Sequence, residues 1–340
     1  MNSPALRIRL RPVTPWLTGS PHGGRGSAEP VFHSDSLYGA LCSALERLGG
    51  LEDWLSATAA AQDPAVRISS CFPFLDQLDF VPPPLSHWPP PHSTRVRWSA
   101  AKLAPTSLVA ALLRGEMPNE ERWIVDGHTG CVLPVDRRGS LLRGPFRHVT
   151  RAQAAVDRIT GGSVAPHRVS ALQFAPGAGL WCVAVFSDEE TRERWDAPLR
   201  AAFRWLADSG FGGRRSLGFG RAAAPEFETG RWPEMLLQQN GEQASWWLLS
   251  LMTPSATEPV DWTAGAYQIT HRGGRIESPA AWGVEKSEMP MVAEGSVLAS
   301  TKAPLGAAQD VAPAGFPHPV WRVGFAVAVP IPAPAGGAAK

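Results

Sequence analysis

An α+β fold is predicted for this chain of 340 residues by three features: a basic strand pattern at its start, two amphipathic helical patterns, and a strand-rich final third. Leu6, Ile8 and Leu10 alternate with Arg7, Arg9 and Arg11, the period of a half-buried strand with a basic open face. A Gly/Pro/Ser loop follows over 19–30. From His33 the sequence HSDSLYGALCSALERLGG carries Leu37, Leu41, Ala44, Leu45 and Leu48 as one helical stripe. Ser34, Asp35 and Ser36 supply N-cap chemistry, and Gly49-Gly50 ends the helix. Residues 66–74 (VRISSCFPF) read as a second strand. Three prolines at 82–84 and three at 89–91 exclude regular helix and predict an extended insertion. Residues 92–150 show no assignable period and belong to an excursion from the core. Segments 169–174 and 180–186 flank PGAG as a hairpin candidate. A helix near 190–208 aligns Leu199, Phe203 and Leu206, and a strand near 217–223 follows.

Stripped of insertions, the order is β-α-β…β-α-β, a ferredoxin-like (RRM-like) arrangement. Residues 228–244 read as a linker, so the domains expected are 1–230, with an insertion at about 81–150, and 245–330. Beyond the linker, 245–252, 267–271, 291–298 and 320–329 are strand candidates. HRGGR at 271–275 reads as a basic hairpin tip, and the tail from Pro330 as mobile.

A hydrophobic content of 44% with 14 Trp supports a packed core. No window of 18 apolar residues predicts a membrane helix, and the first residues lack the apolar run of a signal peptide. Cys42, Cys71, Cys131 and Cys182 are scattered without a CxxC pair, which fits a reducing cytoplasm, argues against zinc and predicts four buried thiols. No cofactor and no metal site are expected.

The net charge of +1 hides local clusters. Residues 137–158 hold Arg137, Arg138, Arg143, Arg147, Arg151 and Arg158 against Asp157, and residues 200–221 hold Arg200, Arg204, Arg214, Arg215 and Arg221 against Asp208. Two basic segments in a near-neutral chain suggest a local groove, or else solvated faces. The second cluster overlaps the most informative motif, GFGGRRSLGFGR at 210–221. Its glycines allow close backbone approach and positive φ, successive amides can cradle an anion, and arginine presents a planar fork to phosphate. Walker A chemistry is excluded, because no lysine is present. A dinucleotide fingerprint is excluded too: position 215 is arginine, and the loop follows a helix instead of opening one. A glycine-rich helix cap and turn remains the plain alternative.

This loop, after the second helix of an RRM-like frame, resembles the RAMP proteins of CRISPR systems. HSDSLYGALCSAL, VDRITG at 156–161 and EGSVL at 294–298 make the chain similar, over about 1–330, to subunit four of the type III-A Csm effector. The resemblance implies two ferredoxin-like domains, the second of them resting on the resemblance alone. It implies an RNA-binding, non-enzymatic subunit that caps the crRNA 5′ handle and meets the large Cas10-type subunit and an adjacent backbone RAMP subunit. Gly212, Gly213, Arg214, Arg215, Ser216 and Gly218 would form the handle-binding loop, with Arg221, Arg151 and Arg158 as further RNA contacts. A thumb-like hairpin would lie within 81–150. The equivalent subunit of the Cmr effector would share the loop.

Phe211 and Phe219 are expected to pack inward and anchor the loop, stacking on bases being the alternative. Among catalytic alternatives, a RAMP-type endoribonuclease would act through His33, with His148 and His271 as other candidates, or through Asp35 as a metal-dependent aspartate. Helix capping accounts for Asp35 more simply. Asp126 and His128 in DGHTGC lack further ligands at defined spacing and read as a turn. Asp157 and Arg158 read as a structural ion pair, the alternative being Arg158 reaching phosphate with Asp157 orienting it. Arg272, Arg275 and Lys286 are candidate RNA or partner contacts.

Overall fold

The alternation in the first strand places Leu6, Ile8 and Leu10 fully inside, in the strand Ser3–Leu10. The computed structural model describes residues 2–19, 28–90, 95–135, 144–154, 156–160, 162, 167–237, 245–278 and 280–332. Among these the chain is a mixed α/β structure whose named strands all pair antiparallel.

The larger sheet runs, from one edge, Glu226–Trp232, Ser3–Leu10 and Ala178–Phe186. Val66–Ile68 and Phe72–Leu75 then lie along the same neighbour, followed by Leu78–Val81 and Ala104–Pro105. Helices α1 (Ser34–Leu48) and α4 (Glu189–Ser209) cover one face. Leu37, Leu41 and Leu45 of α1 and Leu199, Phe203 and Leu206 of α4 share a core with Leu6, Ile8 and Cys182. Gly49, at φ 79°, closes α1 as a left-handed cap. The opposite face, with Trp181, Val183 and Val185, packs on Trp247 and Val329 of a second, four-stranded sheet and on Leu249 and Val327 beside them. That sheet runs Val260–Ala266, Val297–Ser300, Ser245–Leu248 and Ala328–Ile331. No α-helix accompanies it among the described residues. Counting the framework strands of each sheet in chain order, both run fourth, first, third, second. No helix of the described residues is long and apolar enough to cross a membrane.

Several expectations are corrected. Segments 169–174 and 180–186 do not pair with each other. Ala178–Phe186 is buried along its whole length and needs neighbours on both sides, which Ser3–Leu10 and the strands at 66–75 provide. His167–Phe174 instead pairs with Phe146–Gln153. The strand expected near 217–223 lies at Glu226–Trp232, overlapping the start of the supposed linker. It is a sheet edge, so its polar sequence is solvated on one side. The strand expected at 66–74 breaks at Ser69 and Ser70, where the Ser69 hydroxyl accepts from the Val183 amide and the Ser70 amide donates to Leu249 O.

The segment HRGGR is not a hairpin tip. His271 and Arg272 end the strand Ile269–Arg272, and Arg275 opens Arg275–Ser278, each with a different partner strand. Pro330 and Ile331, expected in the tail, belong to the strand Ala328–Ile331. Leu48 is exposed, and Cys42 is only partly buried. Two short helices were not expected: α2 (Leu51–Ala57), pinned by buried Trp54, and α3 (Thr106–Leu113). At seven and eight residues they are too short to display a repeating stripe.

The basic open face of the first strand is also closed. Arg7 and Arg9 converge on Asp79 of the strand Leu78–Val81, and the Arg9 guanidinium lies 4.4 Å from the Phe74 ring centroid. Long arginine stems cover aromatic surface while a carboxylate neutralises the heads.

Candidate functional site

The Gly-rich loop begins where α4 ends. The Gly210 amide donates to Leu206 O at 2.8 Å, and φ turns to 99°. The loop is then laced to residues 15–17: Gly213 N donates to Leu17 O at 2.9 Å and Gly220 N to Pro15 O at 3.0 Å. Phe211 N donates to Gly220 O across the loop. Gly212 and Gly220 have φ of 72° and 80°, and a Cβ there would stand 2.5 Å from Leu17 O and 2.0 Å from Phe211 O. Their freedom is therefore used for close backbone packing. Phe211 and Phe219 are buried, as expected. Phe211 stacks on Trp16 at 4.9 Å between centroids and meets Phe32 edge-on.

A short 3-10 turn, Arg215–Leu217, forms the outer rim, entered through Arg214 at φ 58°. The amides of Leu217 and Gly218 donate to Arg214 O and Arg215 O. Many loop amides thus hold the loop itself, and the rim presents Ser216, Leu217 and Gly218 to solvent. Arg215 forms a short ion pair with Glu277 of the strand Arg275–Ser278. Arg221 Nε donates to Asp208 O, and Arg200 pairs with Asp196 at 2.6 Å.

The structure does not bring the other basic cluster to this loop's hydrogen-bond network. Arg151 is exposed on the hairpin of Phe146–Gln153 and His167–Phe174, and Arg158 is exposed just beyond it. Arg137, Arg138 and Arg143 lie outside the described residues, as do Gly161 at the end of VDRITG and residues 238–244 of the expected linker. The expected ion pair of Asp157 with Arg158 is replaced by a turn. Asp157 accepts from Ile159 N at 2.8 Å and from the Thr160 hydroxyl at 2.9 Å, a geometry that local amides reach more readily than a long side chain does. DGHTGC is a turn as expected, with Asp126 accepting from His128 N and the Thr129 hydroxyl. Among the described residues no group of His, Cys, Asp and Glu is arranged to hold a metal.

The helix-one motif and EGSVL, far apart in sequence, meet. His33 Nδ1 lies 2.8 Å from Glu294 and Nε2 lies 2.9 Å from Glu29. His33 is the N-cap residue of α1, and Asp35 sits inside the first turn. The main role of Asp35 is not a cap. Arg272 grips it bidentately at 3.0 and 2.9 Å, and Arg322 adds a third contact at 2.8 Å. The Ser34 hydroxyl accepts from Leu251 N, and Ser70 donates to Glu294 in a short bond. Burial opposes charge on His33, but Glu294 and Glu29 outweigh it and hold its pKa up to about 9. Burial likewise opposes charge on Asp35, but Arg272 and Arg322 outweigh it and hold its pKa down to about 2. His148 stacks edge-on with Phe146, and His271 lies exposed, 3.8 Å from Glu288.

Beside this network a cleft of about 290 Å³ opens between α1, the Gly-rich loop and the second sheet's hairpins. Arg215, Arg275, Lys286 and Arg322 line it with Asp35 and Glu277. Arg322, Glu277, Glu29 and Glu294 were not singled out from sequence. For Glu294 a signal existed, since it opens the EGSVL motif; the other three carry none.

Residues 241–331 match the family described as CRISPR Csm4 C-terminal domain. The curated protein "CRISPR system Cms protein Csm4" of Thermococcus onnurineus is 24% identical over 288 residues, 81% of this chain and 84% of its own. The chain is Csm4-like. Its fold matches a chain of the Csm3-Csm4 subcomplex of a type III-A interference complex, with a TM-score of 0.65 at 15% identity, covering 96% of this chain and 99% of that one. A chain of the Csm1-Csm4 cassette in complex with pppApA matches with a TM-score of 0.58 at 18% identity, covering 98% and 100%. These fold matches agree with the α+β class read from the Csm4-like sequence.

Proposed function

We propose that this Csm4-like chain is a non-enzymatic, cytoplasmic RNA-binding subunit of a type III-A effector that holds the 5′ handle of crRNA in antiviral defence. The observation that carries this reading is the Gly-rich loop: its Gly210, Gly212 and Arg215 line the cation-rich cleft, and its rim, Ser216 to Gly218, is exposed. Single-stranded RNA is held through phosphates, 2′-hydroxyls and stacked bases, and the loop offers guanidinium, hydroxyl and accessible glycine. The handle-binding residues in this reading are Gly212, Gly213, Arg214, Arg215, Ser216, Gly218 and Arg221, with Arg151 and Arg158 reaching RNA from the hairpin. The relatives solved as Csm1-Csm4 and Csm3-Csm4 assemblies support two partners, a large Cas10-type subunit and a backbone subunit. Two ferredoxin-like domains, over 1–230 and 245–330, are supported by the strand order that the two sheets share.

The endoribonuclease alternative needs a free general base or a metal-binding carboxylate. Both ring nitrogens of His33 and both oxygens of Asp35 are engaged by charged side chains. That arrangement favours binding over cleavage.

The test is binding of handle RNA as a function of salt. Single-strand affinity falls with a log–log slope of about 0.7 per phosphate neutralised. Arg214→Ala with Arg215→Ala should lower the slope by about 0.7 to 1.4 in fluorescence anisotropy, and the wild type should leave repeat RNA intact with or without EDTA. An unchanged slope, or cleavage abolished by His33→Ala or Asp35→Ala, would sink the reading.

A further inference from the structure

One row of α1 faces the cleft: Asp35, Gly39 and Ser43, spaced four residues apart. Gly39 is a poor choice for a helix interior, where alanine is favoured. Outside the helix's own backbone, no described residue stands within 4 Å of where its Cβ would be, so packing among the described residues does not demand glycine. A side chain there would project into the cleft. Gly273 and Gly274 line the second unit's side, and again no atom of the described residues lies within 4 Å of a Cβ built on Gly274.

Most charges beside this cleared space are paired, and Glu288 also acts on Arg322. His33, Arg272 and Arg322 match Glu29, Glu294 and Asp35. Arg215 is matched by Glu277, and Arg275 by Glu285. Lys286 remains, and among the described residues its ammonium has no ion-pair or hydrogen-bond partner. Burial, and then the Arg322 charge, push its pKa below the ordinary lysine value. Arg322, with its side chain only 4% exposed, also lines the cleft and carries a buried Nε with no acceptor. A half-buried ammonium with no partner favours occupation by an anion. Ser36 and Ser43 add hydroxyls to the same wall.

We infer that this cleft is a phosphate subsite for one nucleotide unit, with Lys286 as its charge and Gly39 as its clearance. The inference goes beyond the handle-binding reading, because the phosphate can come from an RNA backbone or from a free nucleotide. The cleft volume sits at the small end for ligand sites, a size that suits one nucleotide unit.

The experiment measures binding of AMP by calorimetry and of single-stranded handle RNA by anisotropy, for wild type, Lys286→Ala, Gly39→Leu and Gly39→Ala. Lys286→Ala should weaken binding about fivefold and lower the RNA salt slope by about 0.7, the share of one phosphate. Gly39→Leu should weaken binding at least as much. Gly39→Ala should raise Tm by about 2 °C, since alanine is the better helix former, which shows that position 39 tolerates a side chain in the fold. Losses confined to RNA assign the site to a backbone phosphate, and losses confined to AMP assign it to a free nucleotide. Unchanged affinity for both ligands in Lys286→Ala and Gly39→Leu overturns the subsite. If RNA binding depends on Arg214 and Arg215 but not on these two residues, the handle reading stands and the subsite falls.

Discussion

The two sheets of this protein share a strand order but not a way of covering it. In the larger sheet, α1 and α4 bury one face with stripes of leucine and phenylalanine. The second sheet has no helix among the described residues. One of its faces leans on the first sheet through Trp247 and Val329, with Leu249 and Val327 beside them, and the other is covered by small clusters such as Leu248, Met252, Val292 and Leu298. The strand Trp321–Phe325, paired with Gly306–Asp310 in a separate two-stranded sheet, lends Val323 and Phe325 to the helical core. The charges follow the same asymmetry. Arg7 and Arg9 are neutralised within the first unit by Asp79, whereas Arg272 and Arg322 reach out of the second unit to Asp35. The second unit therefore borrows both its apolar cover and its counter-charge from the first.

The largest effect expected from breaking this dependence is at Trp247. It is fully buried between the sheets, and its Nε1 donates to Pro82 O at 3.1 Å. Trp247→Ala should cost about 3–5 kcal/mol. In hydrogen exchange, amides of Ser245–Leu248 and Ala328–Ile331 should then open at lower free energy than those of α1 and α4. Uniform loss across both units would contradict the asymmetry.

A smaller effect, on the charges alone, comes from pH. The folded pKa of His33 is raised from 6.5 to about 9, so its contribution is fully present below 6.5 and is lost as pH climbs through 9. The folded pKa of Asp35 is lowered from 3.8 to about 2, so its contribution is present above 3.8 and disappears as pH falls towards 2. Stability measured by urea titration should decline in both windows. Asp35→Asn should flatten the acid decline and lower stability at neutral pH, because two buried guanidiniums lose their carboxylate. An acid profile unchanged by that substitution would remove Asp35 from the account.

Periodicity made much of the first unit legible. Leu6, Ile8 and Leu10, the α1 stripe apart from Leu48, and Leu199, Phe203 and Leu206 face the core they predict. Partner choice was not legible. The segments 169–174 and 180–186 are both apolar beside a PGAG turn, and only the burial of Ala178–Phe186 on both faces decides its neighbours. Glu226–Trp232 escaped notice because an edge strand keeps a polar sequence. At the site, the glycine loop was evident from composition, while its lacing to residues 15–17 was not. Asp35 resembled a cap because its nearest chain neighbours are serines; the arginines that hold it lie 237 and 287 residues away.

The most direct test of RNA binding at the Gly-rich loop is photo-crosslinking of crRNA carrying 4-thiouridine in the handle, within the assembled effector, with peptides mapped by mass spectrometry. Crosslinks should fall on 210–221 and on the facing segment 273–286. Crosslinks confined to the hairpin of Phe146–Gln153 and His167–Phe174, or to other subunits, would contradict it.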